Sequence, residues 1–236
     1  NNTQDENISF IESIRSLLNK YPNTVALGEI SSEDSLKTMA EYTLGDSRLH
    51  MGYSFDLLTD EFSTSYIKQV VQTLESRVSD GWPCWAVSNH DVERVVTRWN
   101  DENNTHSEES MTVFAKMLYA MISSLRGSIC SYQGEELGLT EADVAFEDIQ
   151  DPYGIAFWPQ FKGRDGCRTP HPWQEKEINA GFSEAKPWLP VSPAHFAKAV
   201  DVQEQDENSV LNSYRHFNQW RKQHAALLYG DIAFID

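Results

Sequence analysis

The sequence has 236 residues, 40% of them hydrophobic and 11% aromatic, which is enough apolar material for a sizeable core and too much for a disordered chain. Lys and Arg number 19 against 36 Asp and Glu, a formal net charge of -17. Such a chain repels polyanions, so nucleic acid and anionic membrane surfaces are excluded as main partners and a neutral substrate is favoured.

In chain order, Ile8, Phe10, Ile11, Ile14, Leu17 and Leu18 form a helical stripe over 8–20, which Tyr21-Pro22-Asn23 closes. The apolar run Thr24 to Ile30 predicts a strand with a carboxylate, Glu29, at its end. Ser32-Glu33-Asp34 predicts a helix start, with Leu36, Met39, Ala40 and Tyr42 on one face. A second strand is predicted from Leu49 to Phe55, and a helix from Glu61 to Ser79 with Tyr66, Ile67, Val70, Val71, Leu74 and Val78 turned inward. Pro83 to Ser88 predicts a third strand that runs into Asn89-His90-Asp91. The acidic stretch from Asn100 to Ser110 reads as a loop, Met111 to Leu125 as a helix, and Gly127 to Tyr132 as a fourth strand. From about 139 to 206 the chain is rich in Pro, Gly, Trp and charge without clear periodicity, and is expected to be functional irregular structure. Val210 to Leu228 returns to helix, and Gly230 to Asp236 reads as a last strand entering another domain.

Strands alternating with helices at this spacing predict βα units and a parallel sheet. No strand is followed by GxGxxG or GxxxxGK[ST], so nucleotide binding is not indicated. No apolar run has the roughly 18 residues of a membrane span. The N-terminus, Asn1 to Glu6, has no initiator Met, basic start or apolar stretch, so it is no signal peptide and reads like a segment of something longer. A cytoplasmic location is the matching expectation. Cys84, Cys130 and Cys167 are too few and scattered for a disulfide framework, and the first two lie in apolar runs that suit buried reduced thiols. The histidines show no metal-ligand spacing, so neither a metal nor a cofactor is expected.

Reactive groups in parallel βα architectures collect at the carboxyl ends of the strands. Here those ends carry Glu29, Asn89-His90-Asp91 and Tyr132-Gln133-Gly134-Glu135-Glu136. Two carboxylates on neighbouring strand ends, one an acid and one ionised, are the equipment of glycoside cleavage. Each of them, taken alone, is equally a helix cap or a surface charge.

Four motifs occur in order: Val25-Ala26-Leu27-Gly28-Glu29-Ile30, Ala86-Val87-Ser88-Asn89-His90-Asp91, Tyr132 to Gly138, and Gly163-Arg164-Asp165-Gly166-Cys167-Arg168-Thr169-Pro170-His171-Pro172-Trp173. Together with Leu49 to Phe55 and Leu211 to Arg215 they resemble the α-glucosidases and oligo-1,6-glucosidases of glycoside hydrolase family 13, the α-amylase family. The resemblance runs from about residue 8 to the end. It implies the second half, strands five to eight, of a TIM (β/α)8 barrel over residues 1–229, with residues 230–236 opening a C-terminal β domain. It implies a retaining exo-acting α-glucosidase that takes single glucose units from the non-reducing end of small neutral oligosaccharides. Glu29 is then the general acid/base and Asp91 the carboxylate that stabilises the transition state. His90 and Asn89 bind the sugar, although Asn89 equally suits a role in bracing the turn. Arg164, ahead of Arg168, grips the non-reducing end. Phe157, Trp158 and Trp173 are candidates for a stacking wall or for loop packing, and Tyr132 to Glu136 reads as a structural turn.

The family's nucleophile, an Asp on the fourth barrel strand in a Gly-Phe-Arg-x-Asp type motif, has no counterpart in this sequence. Strands one to four are therefore expected from a separate chain or a missing N-terminal half, and four strands alone are expected to self-associate and to be inactive. Two residues depart from the pattern. His171 stands where the family usually has Met, and Glu93 adds a charge near Asp91 that can raise a neighbouring pKa. The competing readings are a non-catalytic amylase-like subunit, which tends to lose the carboxylates retained here, and a glucosyl transferase or isomerase of the trehalose or isomaltulose synthase type.

Overall fold

A computed structural model of the chain describes Gln4 and residues 6–78, 81–100 and 107–235. In order these form α1 (Glu6–Leu18), β1 (Leu27–Ile30), α2 (Ser35–Tyr42), β2 (Met51–Ser54), α3 (Thr64–Arg77), β3 (Cys84–Trp85), α4 (Val95–Arg98), α5 (Glu108–Ser123), β4 (Ser128–Ile129), α6 (Pro152–Phe157), α7 (Pro193–Phe196), α8 (Val200–Glu204), α9 (Val210–Lys222) and α10 (Ala225–Tyr229). The chain divides into two compact units. One comprises Asn1–Ala86, Ser124–Cys130 and His224–Asp236, and the other Val87–Ser123 and Ser131–Gln223.

The first unit holds the strands, and every pairing among them is parallel. Leu27 lies opposite Met51 and Glu29 opposite Tyr53. Cys84 lies opposite Ser128 and Trp85 opposite Ile129, while a single bridge from Gly52 to Pro83 joins the two pairs. The βα rhythm of the sequence is thus realised as a ladder in chain order. One expectation is corrected. β2 lies between β1 and β3, so Glu29 and the strand that leads to Asp91 are next but one rather than adjacent. Sequence order alone marks strand ends, whereas adjacency is set by which backbones share hydrogen bonds.

The helices of this unit form where caps and apolar spacing agree. The Asp34 carboxylate accepts the Lys37 N–H at 3.2 Å to start α2, and the Ser63 hydroxyl accepts the Tyr66 N–H at 3.2 Å to start α3. They bury Leu36 and Met39, and Val70, Val71 and Leu74. Residue 79, the expected end of the third helix, lies outside the described residues. Beside β3 and β4, Trp82 donates to the Ser128 hydroxyl and Trp85 to the Arg126 carbonyl, both at 2.8 Å, while Arg126 pairs with Glu75 at 2.7 Å. The apolar stripe of α1 is buried only at Ile11, with Phe10 and Leu17 exposed.

In the second unit α5 buries Ala115, Leu118, Tyr119 and Ile122, and packs against α9, where Tyr119 and Tyr214 stack. The Arg221 guanidinium ties α9 to the Ser123 carbonyl at 2.7 Å. The segment expected to be irregular, 139–206, is ordered. It forms α6, α7, α8 and short 3-10 turns over a core of Ala142, Val144, Ile149 and Leu189. Helices this short complete barely one turn and leave no period to read. Pro152 and Pro193 in their first turns stand where a missing N–H costs no hydrogen bond. Two more expectations change. The last helix ends at Lys222 and restarts at Ala225, because His224 takes an extended conformation. Described residues 230–235 form no ladder with the described strands. Of the expected loop from Asn100 to Ser110, residues 101–106 lie outside the described residues, and α5 begins at Glu108.

Candidate active site

Glu29 is the third residue of β1, in register with Tyr53 of β2. The parallel ladder fixes its backbone, and its side chain is exposed. It lines an open cavity of about 220 Å³ together with Asn7, Ile30, Ser31, Thr38, Tyr42 and Phe55. The polar rim of this cavity is tied by Asn7 donating to the Tyr42 hydroxyl at 3.1 Å and by Ser32 and Thr38 sharing a hydrogen bond of 2.8 Å.

In the second unit, Asn89-His90-Asp91 forms a tight turn. The buried Asn89 carboxamide oxygen accepts the Asp91 N–H at 2.8 Å, so Asn89 braces the turn. Asp91 Oδ1 accepts from two guanidinium groups, Arg164 Nη1 and Arg168 Nη2, each at 2.9 Å. His90 Nε2 lies 3.7 Å from the same oxygen, and its imidazole is exposed. Arg168 also donates to the His90 carbonyl at 2.7 Å and so grips the turn by backbone and side chain together. The expectation preferred Arg164 to Arg168, and the structure brings both to the one carboxylate.

Arg164 has a second anchor. Its Nε donates to Asp151 Oδ2 at 2.8 Å and its Nη2 to Oδ1 at 3.1 Å, while its backbone N–H reaches the same carboxylate at 2.9 Å. The Asp151 side chain is fully buried. Hydrogen bonds from Arg164, against the opposing effect of burial, hold Asp151 well below the usual carboxylate range. Gly163, at φ +82, makes the turn into Arg164, and a Cβ there would meet the Gly154 backbone at 2.9 Å. Asp165, buried next door, accepts the Gln150 and Asp151 N–H groups at 2.6 and 2.8 Å. The two arginines are therefore mounted on a preformed carboxylate-pinned turn.

A second knot lies behind Asp91. The buried Arg94 guanidinium donates to the Gln133 carbonyl at 2.6 Å and to the Cys167 carbonyl at 2.9 Å. Glu141 Oε2 accepts the Arg94 N–H at 2.9 Å. A side chain at Gly166 would collide with Glu141, so the carboxylate also shapes the turn that carries both arginines. Burial, opposed by hydrogen bonding from Arg94 and reinforced by the Glu93 charge, lifts Glu141 to about 7. This is the neighbour whose titration Glu93 was expected to shift. Asp91, Glu93, Glu141, Phe161, Lys162 and Arg164 share the walls of a cavity of about 260 Å³.

The turn after β4 is tied down by side-chain hydrogen bonds. The Ser131 hydroxyl donates to Glu135 at 2.9 Å, and the Tyr214 hydroxyl bonds to Ser131. Burial raises Glu135 to about 8, in spite of its hydrogen bonds to Ser131 and Ser88. His171 pairs with Glu136 at 2.6 Å, and Gly134 donates its N–H to the same side chain at 2.8 Å. Burial acts to raise Glu136, but these bonds win and hold it below its ordinary value.

The aromatic candidates do not form one wall. Trp158 packs into the 139–206 core, with its ring 5.3 Å from Phe146. Phe157 is exposed and parallel to Tyr153, with centroids 6.4 Å apart, while Trp173 lies against His171 at 4.4 Å. Arg94, Glu141 and Asp151 escaped the sequence reading, and Asp165 entered it only as part of a motif. Their one sequence signal is Asp151-Pro152, which marks a helix start and not a guanidinium clamp.

The family model for the alpha-amylase catalytic domain matches residues 1–230. The chain belongs to that family. It is 46% identical over 233 residues to a probable alpha-glucosidase of Rhizobium meliloti (strain 1021), covering 98% of this chain and 41% of that protein. It is 34% identical over 175 residues to an oligo-1,6-glucosidase of Parageobacillus thermoglucosidasius, covering 66% of this chain and 30% of the relative. The crystal structure of an alpha-glucosyl transfer enzyme, XgtA, superposes with a TM-score of 0.90 at 58% identity, over 99% of this chain and 42% of that one. The chain thus spans about two fifths of the length of its more similar relatives. A trehalulose synthase from Pseudomonas mesoacidophila, 22% identical with a TM-score of 0.83, shares the fold. Within this family the four parallel strands are part of an α/β barrel.

Proposed function

We propose that the chain is the C-terminal part, strands five to eight, of the catalytic barrel of a retaining exo-acting α-glucosidase, with residues 230–236 opening a β domain. Its substrates are neutral malto- or isomalto-oligosaccharides. Glu29 protonates the departing glycosidic oxygen and later takes a proton from the attacking water. The covalent glycosyl intermediate forms on an Asp supplied by the other half of the barrel. Asp91 stabilises the oxocarbenium-like transition state, and His90 binds the sugar hydroxyls.

The observation that carries this reading is the Asp91 cluster. A carboxylate held by two guanidinium groups, one of them anchored on a fully buried Asp151, offers a sugar a fixed acceptor and several donors at once. Cations on one side close that end of a pocket to a longer chain, which suits removal of single terminal units. The exposed Phe10, Leu17, Val25 and Leu27 of the strand-bearing unit fit a surface that the other half of the barrel covers.

The test joins this chain to an upstream barrel segment bearing the nucleophile and follows p-nitrophenyl α-glucoside. Glu29→Gln lowers kcat by about 10²–10⁴-fold, and the chain without its upstream half shows no turnover. Hydrolysis by the chain alone that Glu29→Gln abolishes would overturn the reading. A second outcome, glucosyl transfer to a sugar hydroxyl in place of water, is favoured by the 58% identity to a structure named as a transfer enzyme. Product analysis separates the two as free glucose against a new glucoside.

A further inference from the structure

Two aromatic side chains beside the Arg164 clamp take no part in the reaction proposed above. Tyr153 and Phe157 stand four residues apart on α6, so they are neighbours on one face of that helix. Their rings are parallel to within 9°, with centroids 6.4 Å apart, and the residues are 58% and 56% exposed. Burying a Tyr or Phe side chain is ordinarily favourable, so an exposed pair of this kind marks a surface that a ligand or partner covers. Arg164 Cζ lies 5.4 Å from the Tyr153 ring centroid, within reach of a cation–π attraction. Neither ring is among the described walls of the cavity of about 260 Å³ that Arg164 shares with Asp91. The pair therefore adjoins the Asp91 cluster through one guanidinium and lies outside its cavity.

The backbone beneath the rings is pinned. Asp151 Oδ1 accepts the Tyr153 N–H at 3.2 Å, and the Asp151 carbonyl accepts the Ile155 N–H at 3.0 Å. Past the end of the helix, the Phe157 carbonyl accepts the Phe161 N–H at 3.1 Å. Gly154, buried between the two aromatics in sequence, seats α6 on the chain at Lys162, where a Cβ would come within 2.5 Å of the carbonyl oxygen. The carboxylate that holds Arg164 thus also holds the turn that carries Tyr153. A platform built on fixed backbone gives up little freedom when a ligand lies down on it.

A pyranose matches this surface. Its ring faces carry C–H groups, which the negative face of an aromatic ring attracts, and its hydroxyls lie round the edge, where a tyrosine hydroxyl is a polar partner. The net charge of -17 disfavours an anionic ligand, and a sugar is neutral. Two rings in series suit a chain of sugars better than a single one. We propose that Tyr153 and Phe157 form an auxiliary platform that binds α-glucan chains outside the Asp91 cavity. The choice of an α-glucan rests on the function proposed above, whereas the platform itself rests on the geometry of α6.

Native affinity electrophoresis tests this by binding and not by turnover. The chain joined to its upstream barrel half, carrying Glu29→Gln so that the polysaccharide is spared, is run in gels with and without soluble starch, and in a parallel set with dextran. At least one of the two retards it, and the pair of gels separates α-1,4 from α-1,6 chains. Tyr153→Ala and Phe157→Ala each raise the apparent dissociation constant about tenfold. Tyr153→Phe, which keeps the ring, stays within about threefold of the parent. Trp188→Ala, which removes an exposed aromatic outside the platform, leaves retardation unchanged. Circular dichroism matching the parent shows that each variant has folded. No retardation of the parent by either polysaccharide, full retardation in either alanine variant of the platform, or an equal loss in Trp188→Ala overturns the proposal. Dimerisation in sedimentation that Phe157→Ala abolishes overturns it as well, because the face then belongs to a second copy. Failure of the proposed hydrolysis leaves the retardation in place, so the two readings fail separately.

Discussion

Glu29 and Asp91 are carboxylates of one proposed reaction held by opposite means. Glu29 rides on a ladder: its position follows from four residues of β1 and their register with β2. Asp91 sits in a turn held by guanidinium groups 73 and 77 residues away in sequence. One is placed by repetitive backbone hydrogen bonding, the other by side chains that must fold into place first. Damage to distant loops should therefore disturb Asp91 and spare Glu29, while damage to Glu29 should leave the scaffold intact.

The largest effect is expected at Arg164. Arg164→Met leaves the fully buried Asp151 carboxylate without its cation, and a buried charge stripped of its partner costs about 3–5 kcal/mol. Urea unfolding measures it, and a loss under about 1 kcal/mol would mean that the clamp does not hold the Asp91 turn. The next effect is a pH slope. Glu135 is raised from 4.5 to about 8, so between those values the unfolded chain has released a proton that the folded chain keeps. Stability from this group falls as pH rises through that window, by at most about 1.4 kcal/mol per pH unit for one proton. Glu135→Gln, neutral throughout, removes that contribution. Unfolding free energies at intervals from pH 5 to 8 should show a shallower decline in the variant, and parallel curves would refute a neutral Glu135. The smallest effect is expected at Glu29, exposed at its strand end. Glu29→Gln should change stability by no more than about 0.5 kcal/mol even though it removes the proposed acid/base. A thermal melt displaced well beyond that would erase the contrast between the two carboxylates.

Much of the ladder-borne region was legible. The strands at Glu29, Tyr53 and Cys84 and the helices α2, α3 and α5 announce themselves by apolar runs and 3.6-residue spacing, and α2 by its start at Asp34, whereas the cap of α3 at Ser63 came only from the structure. Strand neighbours were less so, because apolar runs mark strands without saying which pair, and β2 came to lie between β1 and β3. The loop-borne region was legible only as motifs. Asn89, Asp91, Arg164 and Arg168 stood out, but Arg94, Glu141 and Asp151 did not. Their roles rest on contacts such as Arg94 to the Cys167 carbonyl, 73 residues apart, which no local period encodes. Trp158 shows the converse. In sequence it is an aromatic beside a motif, and packing on Ala142, Val144 and Leu189 makes it part of a loop core.

By itself the sequence determined the βα alternation, the carboxylates at the ends of strands, the acidic surface and the membership signalled by four ordered motifs. All of these follow from local spacing and residue type. Only the tertiary structure decided that both arginines share Asp91, that a buried Asp151 anchors one of them, and that Glu135 and Glu141 are dry enough to titrate near neutrality. Each of those depends on desolvation and on distances between residues far apart in the chain, which exist only once the backbone has folded.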